Sequence, residues 1–148
     1  MTACSSVTPE RQPGSRRFPL LALLAGLLVA GNGAAEIVVV VHTTNPTGPL
    51  GVDQVAHLFM GQTRILTPVE QAKNSAIRRE FYQKVAGKTL NQVESNWARL
   101  EFTGRGTAPH TYPTDAEVKK AIARDRNAIG YIDKGSVDKS LKVVLSLP

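Results

Sequence analysis

Cysteine is nearly absent: the 148 residues contain one, Cys4, close to the N-terminus. With no second thiol there is no disulfide framework, and no thiolate metal cluster can form, so packing and hydrogen bonding must hold the fold. Long hydrophobic runs are also lacking, because the apolar stretch from Phe18 to Ala30 falls short of the ~20 residues a membrane-spanning helix needs. There is no Gly-x-Ser-x-Gly elbow, no glycine loop of the kind that cradles phosphates, and no carboxylate pair with a reason to differ in pKa, which argues against an enzyme. The three histidines, His42, His57 and His110, are not paired at ligand spacing with each other or with a carboxylate, so neither a metal nor a cofactor is expected. No repeat or low-complexity tract appears.

What the N-terminus does hold is Arg16 and Arg17, the apolar stretch, and the small residues Gly31, Gly33, Ala34 and Ala35. That order fits a secretory signal peptide, whose apolar core runs about 7–15 residues. Cleavage is expected after Ala35, so that Glu36 begins the mature chain and Cys4, remote from the cleavage point, leaves without carrying a lipid. An uncleaved anchor is the alternative, since the chain turns apolar again at Ile37 to Val41, although Gly31 to Gly33 and Glu36 interrupt any continuous span. The arginine pair also has a twin-arginine form, but Pro19 stands where that signal prefers an apolar residue. A periplasmic location follows from these expectations.

The remaining segment, residues 36–148, is long enough for one domain with its own core and too short for two full lobes around a cleft. It carries 15 basic and 11 acidic residues, a balance of +4 that favours anions or an acidic surface. Nucleic acid would suit the charge, but the export signal and the absence of any nucleic-acid-binding motif speak against it.

Ile37 to Val41 is a β-branched run bounded by a Pro and Gly-rich loop, which predicts a strand buried on both faces. Val52, Val55, Ala56 and Phe59 have helical spacing up to Gly61. Arg64 to Val69 reads as a second strand, placed at an edge or ended early by Pro68. A second helix is expected from Asn74 or Ser75 to Gly87, a third from Thr89 to about Phe102 with a Thr89–Gln92 capping box, and a fourth from Thr114 to Arg126. Trp97 falls on the apolar stripe of the third helix, and Thr103 to Pro113 reads as a loop. Residues 127–132 and 141–145 complete the chain as strands. The order implies an α/β fold with a mostly parallel sheet and helices on its faces. Ligands of such sheets sit at the carboxyl ends of strands, which directs attention to His42 to Asn45 and to Glu70 to Ala76.

Four segments carry a resemblance: Val52 to Gly61, Ser75 to Phe81 with Arg78 between, Trp97 with Phe102 to Gly106, and Asn127 to Ile132. Together they resemble the second lobe of the periplasmic phosphate-binding protein family of ABC transporters, in a short single-domain form. The resemblance implies one lobe of the type 2 periplasmic-binding fold, which clamps phosphate between two lobes without chemistry. It also implies an anion site in an Arg-x-Asp-x-Ser-Gly-Thr segment entering a helix. Aligned on the same serine, this chain has Gln71 for the arginine, Lys73 for the aspartate, then Ser75, with Ala76 and Ile77 for glycine and threonine. Loss of the carboxylate removes selection for a protonated anion, whereas Lys73 and Arg78 leave a positive helix entrance.

The candidate anion-binding residues are therefore Lys73, Ser75, Ala76, Ile77 and Arg78, with His42 and Thr43 as a second group. Each has a plainer role: Ser75 as an N-cap, Arg78 as a solvated first-turn residue, Lys73 as surface, His42 in a local hydrogen bond. The expected partner is a small phosphate-like anion. The alternative is a membrane or envelope protein on which a ligand-free lobe docks, and two copies could pair to rebuild a cleft.

Overall fold

The computed structural model describes residues 35–148, and the expected signal peptide, Cys4 and all but the last residue of the cleavage region lie outside these. No described helix is long and apolar enough to cross a membrane. The elements are β1 (Ile37–His42), α1 (Val52–Phe59), β2 (Thr67–Gln71), α2 (Ala76–Ala86), α3 (Leu90–Phe102), β3 (His110–Tyr112), α4 (Asp115–Arg124), β4 (Ala128–Asp133) and β5 (Leu141–Leu147). One sheet of order β3-β2-β4-β1-β5 carries them. β2 runs parallel to β3 and β4, while β1 is antiparallel to both β4 and β5. Four strands thus share a direction and β1 opposes them.

β1 is buried on both faces, as its unbroken Ile-Val composition demands. Ile37, Val39 and Val41 join Ile129 and Tyr131 in a core with Leu58, Phe59, Phe81, Val93 and Trp97, whereas Val38 and Val40 join Val69, Val118, Ile122 and Ile132 in a second core under α4. The period of two along the strand divides the molecule into three layers, with α1 and α2 on one face and α4 on the other. Phe81 stacks on Tyr131 at 3.9 Å between ring centres, and Phe59 meets Phe81 edge-on at 4.8 Å, which pins both helices to β4.

Two glycines set the close approaches. Gly61 ends α1 with φ +77°, and a Cβ there would lie 2.8 Å from the Trp97 ring, so the turn lies flat on α3. Gly130, in the middle of β4, would bring a Cβ to 2.9 Å from Val118 and 3.0 Å from Val69, so its lack of a side chain lets α4 settle on the sheet.

Three expectations shift. β2 begins at Thr67 rather than Arg64 and is an inner strand; Pro68 lies opposite Ile129 of β4, ahead of the ladder with β3, which starts at Val69. The expected loop 103–113 contains β3, whose three residues pair only with β2. The reversed direction of β1 places His42 opposite Leu141, at the start of β5, while Ile37 lies opposite Asp133 at the end of β4.

Candidate functional site

Strand direction separates the two groups of candidate residues. The carboxyl ends of β2, β3 and β4 gather Gln71, Tyr112 and Asp133 on one edge of the sheet, and α2 starts from that edge. His42 and Thr43 lie on the opposite edge, the length of β1 away, roughly 17 Å at strand rise. One small anion cannot reach both groups. His42 Nδ1 is 2.8 Å from Thr44 Oγ1 and accepts the Thr44 amide at 3.1 Å, while the Thr43 amide donates to Ser140 O at 3.1 Å, so this end is tied up locally.

At the other edge, Ser75 is the N-cap of α2 in extended conformation (φ −69°, ψ 146°), and its Oγ accepts the Arg78 amide at 3.3 Å. Its O–H remains able to donate. The amides of Ala76 and Ile77, in the first turn, have no intrahelical acceptor. Lys73 and Asn74 are exposed beside them. Lys73, Ser75, Ala76 and Ile77 therefore share one turn of chain at the positive end of α2.

Arg78 is neither a solvated residue nor part of that entrance. It is 3% exposed, its Nε donates to Glu70 at 2.8 Å, its Nη1 to Lys73 O at 3.0 Å and its Nη2 to Glu94 at 2.9 Å. Glu70 is 1% exposed and also accepts the Tyr82 hydroxyl. The helical phase that carries Phe81, Tyr82 and Val85 inward carries Arg78 inward as well, and the buried carboxylate at the end of β2 is its counter-charge. Burial lifts the Glu70 carboxyl above its ordinary range, an effect that Arg78 opposes. Burial followed by the Glu70 charge pushes the Tyr82 phenol well above its usual value, and burial does the same to Tyr131.

A second network went unnoticed in the sequence. Gln71 is 3% exposed, and its side-chain amide donates to Asp115 Oδ1, in the first turn of α4. Asp115 Oδ2 accepts Ser136 Oγ at 2.6 Å and the Asp133 amide at 3.2 Å. Only the strong N-terminal signal of α4 pointed to Asp115; its partners come from three other places in the chain.

No family model matches the sequence, and no curated protein matches it. Solved structures do. A phosphate ABC-transporter substrate-binding protein from Clostridium perfringens, solved with bound phosphate, superposes with TM-score 0.59 at 20% identity over 74% of this chain and 45% of that one. The fold resembles one lobe of a phosphate-transport receptor. An ABC-type phosphate transport receptor from Vibrio cholerae gives TM-score 0.57 at 20% identity, covering 74% and 46%, and PstS from Borrelia burgdorferi gives 0.55 at 12%, covering 74% and 47%. This chain spans under half the length of those structures. The fold expected from the four resembling segments is the one observed, and Gly61 and Gly130, within two of those segments, mark its tightest contacts.

Proposed function

We propose that this chain is an exported, non-catalytic, solute-binding-like lobe that takes a phosphate-like oxyanion at the start of α2, through the amides of Ala76 and Ile77, the Ser75 hydroxyl and Lys73. The observation that carries the reading is the open first turn of α2 at the carboxyl edge of the sheet, next to an exposed lysine. The phosphate bound by the Clostridium perfringens structure, whose fold this chain shares in part, supports the choice of anion. The signal-like N-terminus supports export, with release after Ala35. A single lobe covers one side of a ligand only, so the affinity belongs in the millimolar range, about −4 kcal/mol.

Calorimetry and thermal shift with inorganic phosphate and sulfate at low salt test the reading. Lys73→Ala and Ser75→Ala are each expected to weaken binding by about tenfold, the loss of one charge-assisted hydrogen bond. Absence of any heat or shift at millimolar ligand overturns it.

A second reading rests on the internal engagement of Arg78 and Gln71, which removes two donors from the carboxyl edge. In that reading the lobe binds no solute and docks on a membrane or envelope protein. Cross-linking in membranes distinguishes the two: a specific partner recovered from a chain with no anion affinity favours docking.

A further inference from the structure

Trp97 is the one tryptophan of the chain, and it is packed without being satisfied. Its side chain is 5% exposed, and its indole Nε1 is, among the described residues, the one buried side-chain polar atom with no hydrogen-bond partner. A buried indole N–H ordinarily finds an acceptor, and leaving it without one costs stability. The same indole lines a cavity of about 270 Å³ together with Arg64, Leu66, Thr67, Gly106 and Thr107. Two loops build this cavity, the one that enters β2 and the one that enters β3, so it lies at the amino edge of the sheet. The α2 entrance is on the carboxyl edge, the length of β2 away, roughly 15 Å at strand rise. Gly106 brings the charged and aromatic walls together: a Cβ there would lie 3.3 Å from both Arg64 Nη2 and Trp97 Cζ3. Arg64 is exposed and forms no ion pair among the described residues. Glu101, which borders a neighbouring depression with it, accepts the Ala108 amide at 2.8 Å instead.

We propose that this cavity binds a small carboxylate with an apolar body. Arg64 takes the carboxylate through its fork of N–H donors, the Thr67 and Thr107 hydroxyls add donors beside it, and the body lies along Leu66 and the Trp97 ring. The mixture in the wall selects the class. An inorganic anion uses only the charge and the hydroxyls, and a neutral apolar molecule uses only the ring and Leu66, whereas a site that fixes a small molecule combines an apolar lining with a few placed polar groups. The indole N–H is the further mark, because a ligand with an acceptor at its far end supplies the bond that the protein does not. This site is separate from the α2 entrance, and neither proposal requires the other.

A lone tryptophan gives a single indole resonance and a single fluorophore, so the site reports on itself. The probe is 4-hydroxybenzoate at millimolar concentration, with phenol as the body without the carboxylate and inorganic phosphate as the charge without the body. The expected result is that 4-hydroxybenzoate moves the indole N–H resonance and the Trp97 fluorescence, and binds at least about tenfold more tightly than either control. Arg64→Ala, at an exposed position, is expected to weaken it by about tenfold, and Gly106→Leu, which fills the space between Arg64 and the ring, to abolish it. An indole resonance that 4-hydroxybenzoate leaves in place overturns the proposal. So does an equal response to phenol or to phosphate, or an affinity unchanged in Arg64→Ala, a result that stands whether or not Gly106→Leu folds. Shifts confined to Ser75, Ala76 and Ile77 overturn it while supporting the α2 site.

Discussion

Replacing Glu70 by Gln would leave the Arg78 guanidinium buried without its nearest counter-charge, with only the half-exposed Glu94 and one carbonyl to hold it. Breaking a buried pair from one side costs about 3–5 kcal/mol, so Glu70→Gln is expected to destabilise by that amount in denaturant titration. The double substitution Glu70→Leu with Arg78→Met removes both charges and is expected to cost less than the single change, because no buried charge is then left alone. Arg78 shows how residue identity and residue role part company. An arginine at a helix start is recognisable in sequence, but its inward direction depends on Glu70, eight positions earlier on a different element.

A second prediction at this scale concerns Asp138, whose carboxyl is held down to about 2 by the Ser140 hydroxyl and then by Lys119, 2.9 Å away. A carboxylate depressed in the folded state contributes stability above its ordinary value of 3.8, and that contribution is lost as pH falls toward about 2. NMR titration is expected to find Asp138 well below the exposed aspartates, and Ser140→Ala should bring it back up.

Helices were the most legible elements. Ser75, Thr89 and Thr114 each cap the helix that follows them, and Gly87 ends α2 in the left-handed conformation, because these contacts lie within three or four residues along the chain. Strands were less so: β3 has three residues and forms only against β2, some forty positions away, and the direction of β1 depends on partners at the far end of the sequence. Gly130 joins both kinds of information, since a glycine inside a strand suggests close approach but does not name the neighbour. Gly130→Ala would press on Val118 and Val69 and is expected to destabilise by about 1–3 kcal/mol, measurable by thermal unfolding, whereas Gly48→Ala has open space around it and should be nearly neutral.

At the scale of the whole fold, the anion proposed at the start of α2 meets this chain on one side only and is expected to stay half solvated there. Its attraction to Lys73 and the start of α2 is then screened, so affinity should fall steeply as ionic strength rises past about 0.1 M, where the screening length is near 10 Å. Calorimetry at two salt concentrations checks this, and an affinity independent of salt would speak for an enclosed site instead.

Sequence by itself determined the helices, their caps, the double-sided burial of β1 and the family resemblance, because each is written in local spacing and residue type. The tertiary structure alone decided which ends of the strands lie together. It turned β1 against its neighbours, drew Arg78 inward to Glu70 and brought Gln71, Asp133 and Ser136 onto Asp115. Those outcomes depend on pairings between distant segments, whose direction and register no local pattern specifies.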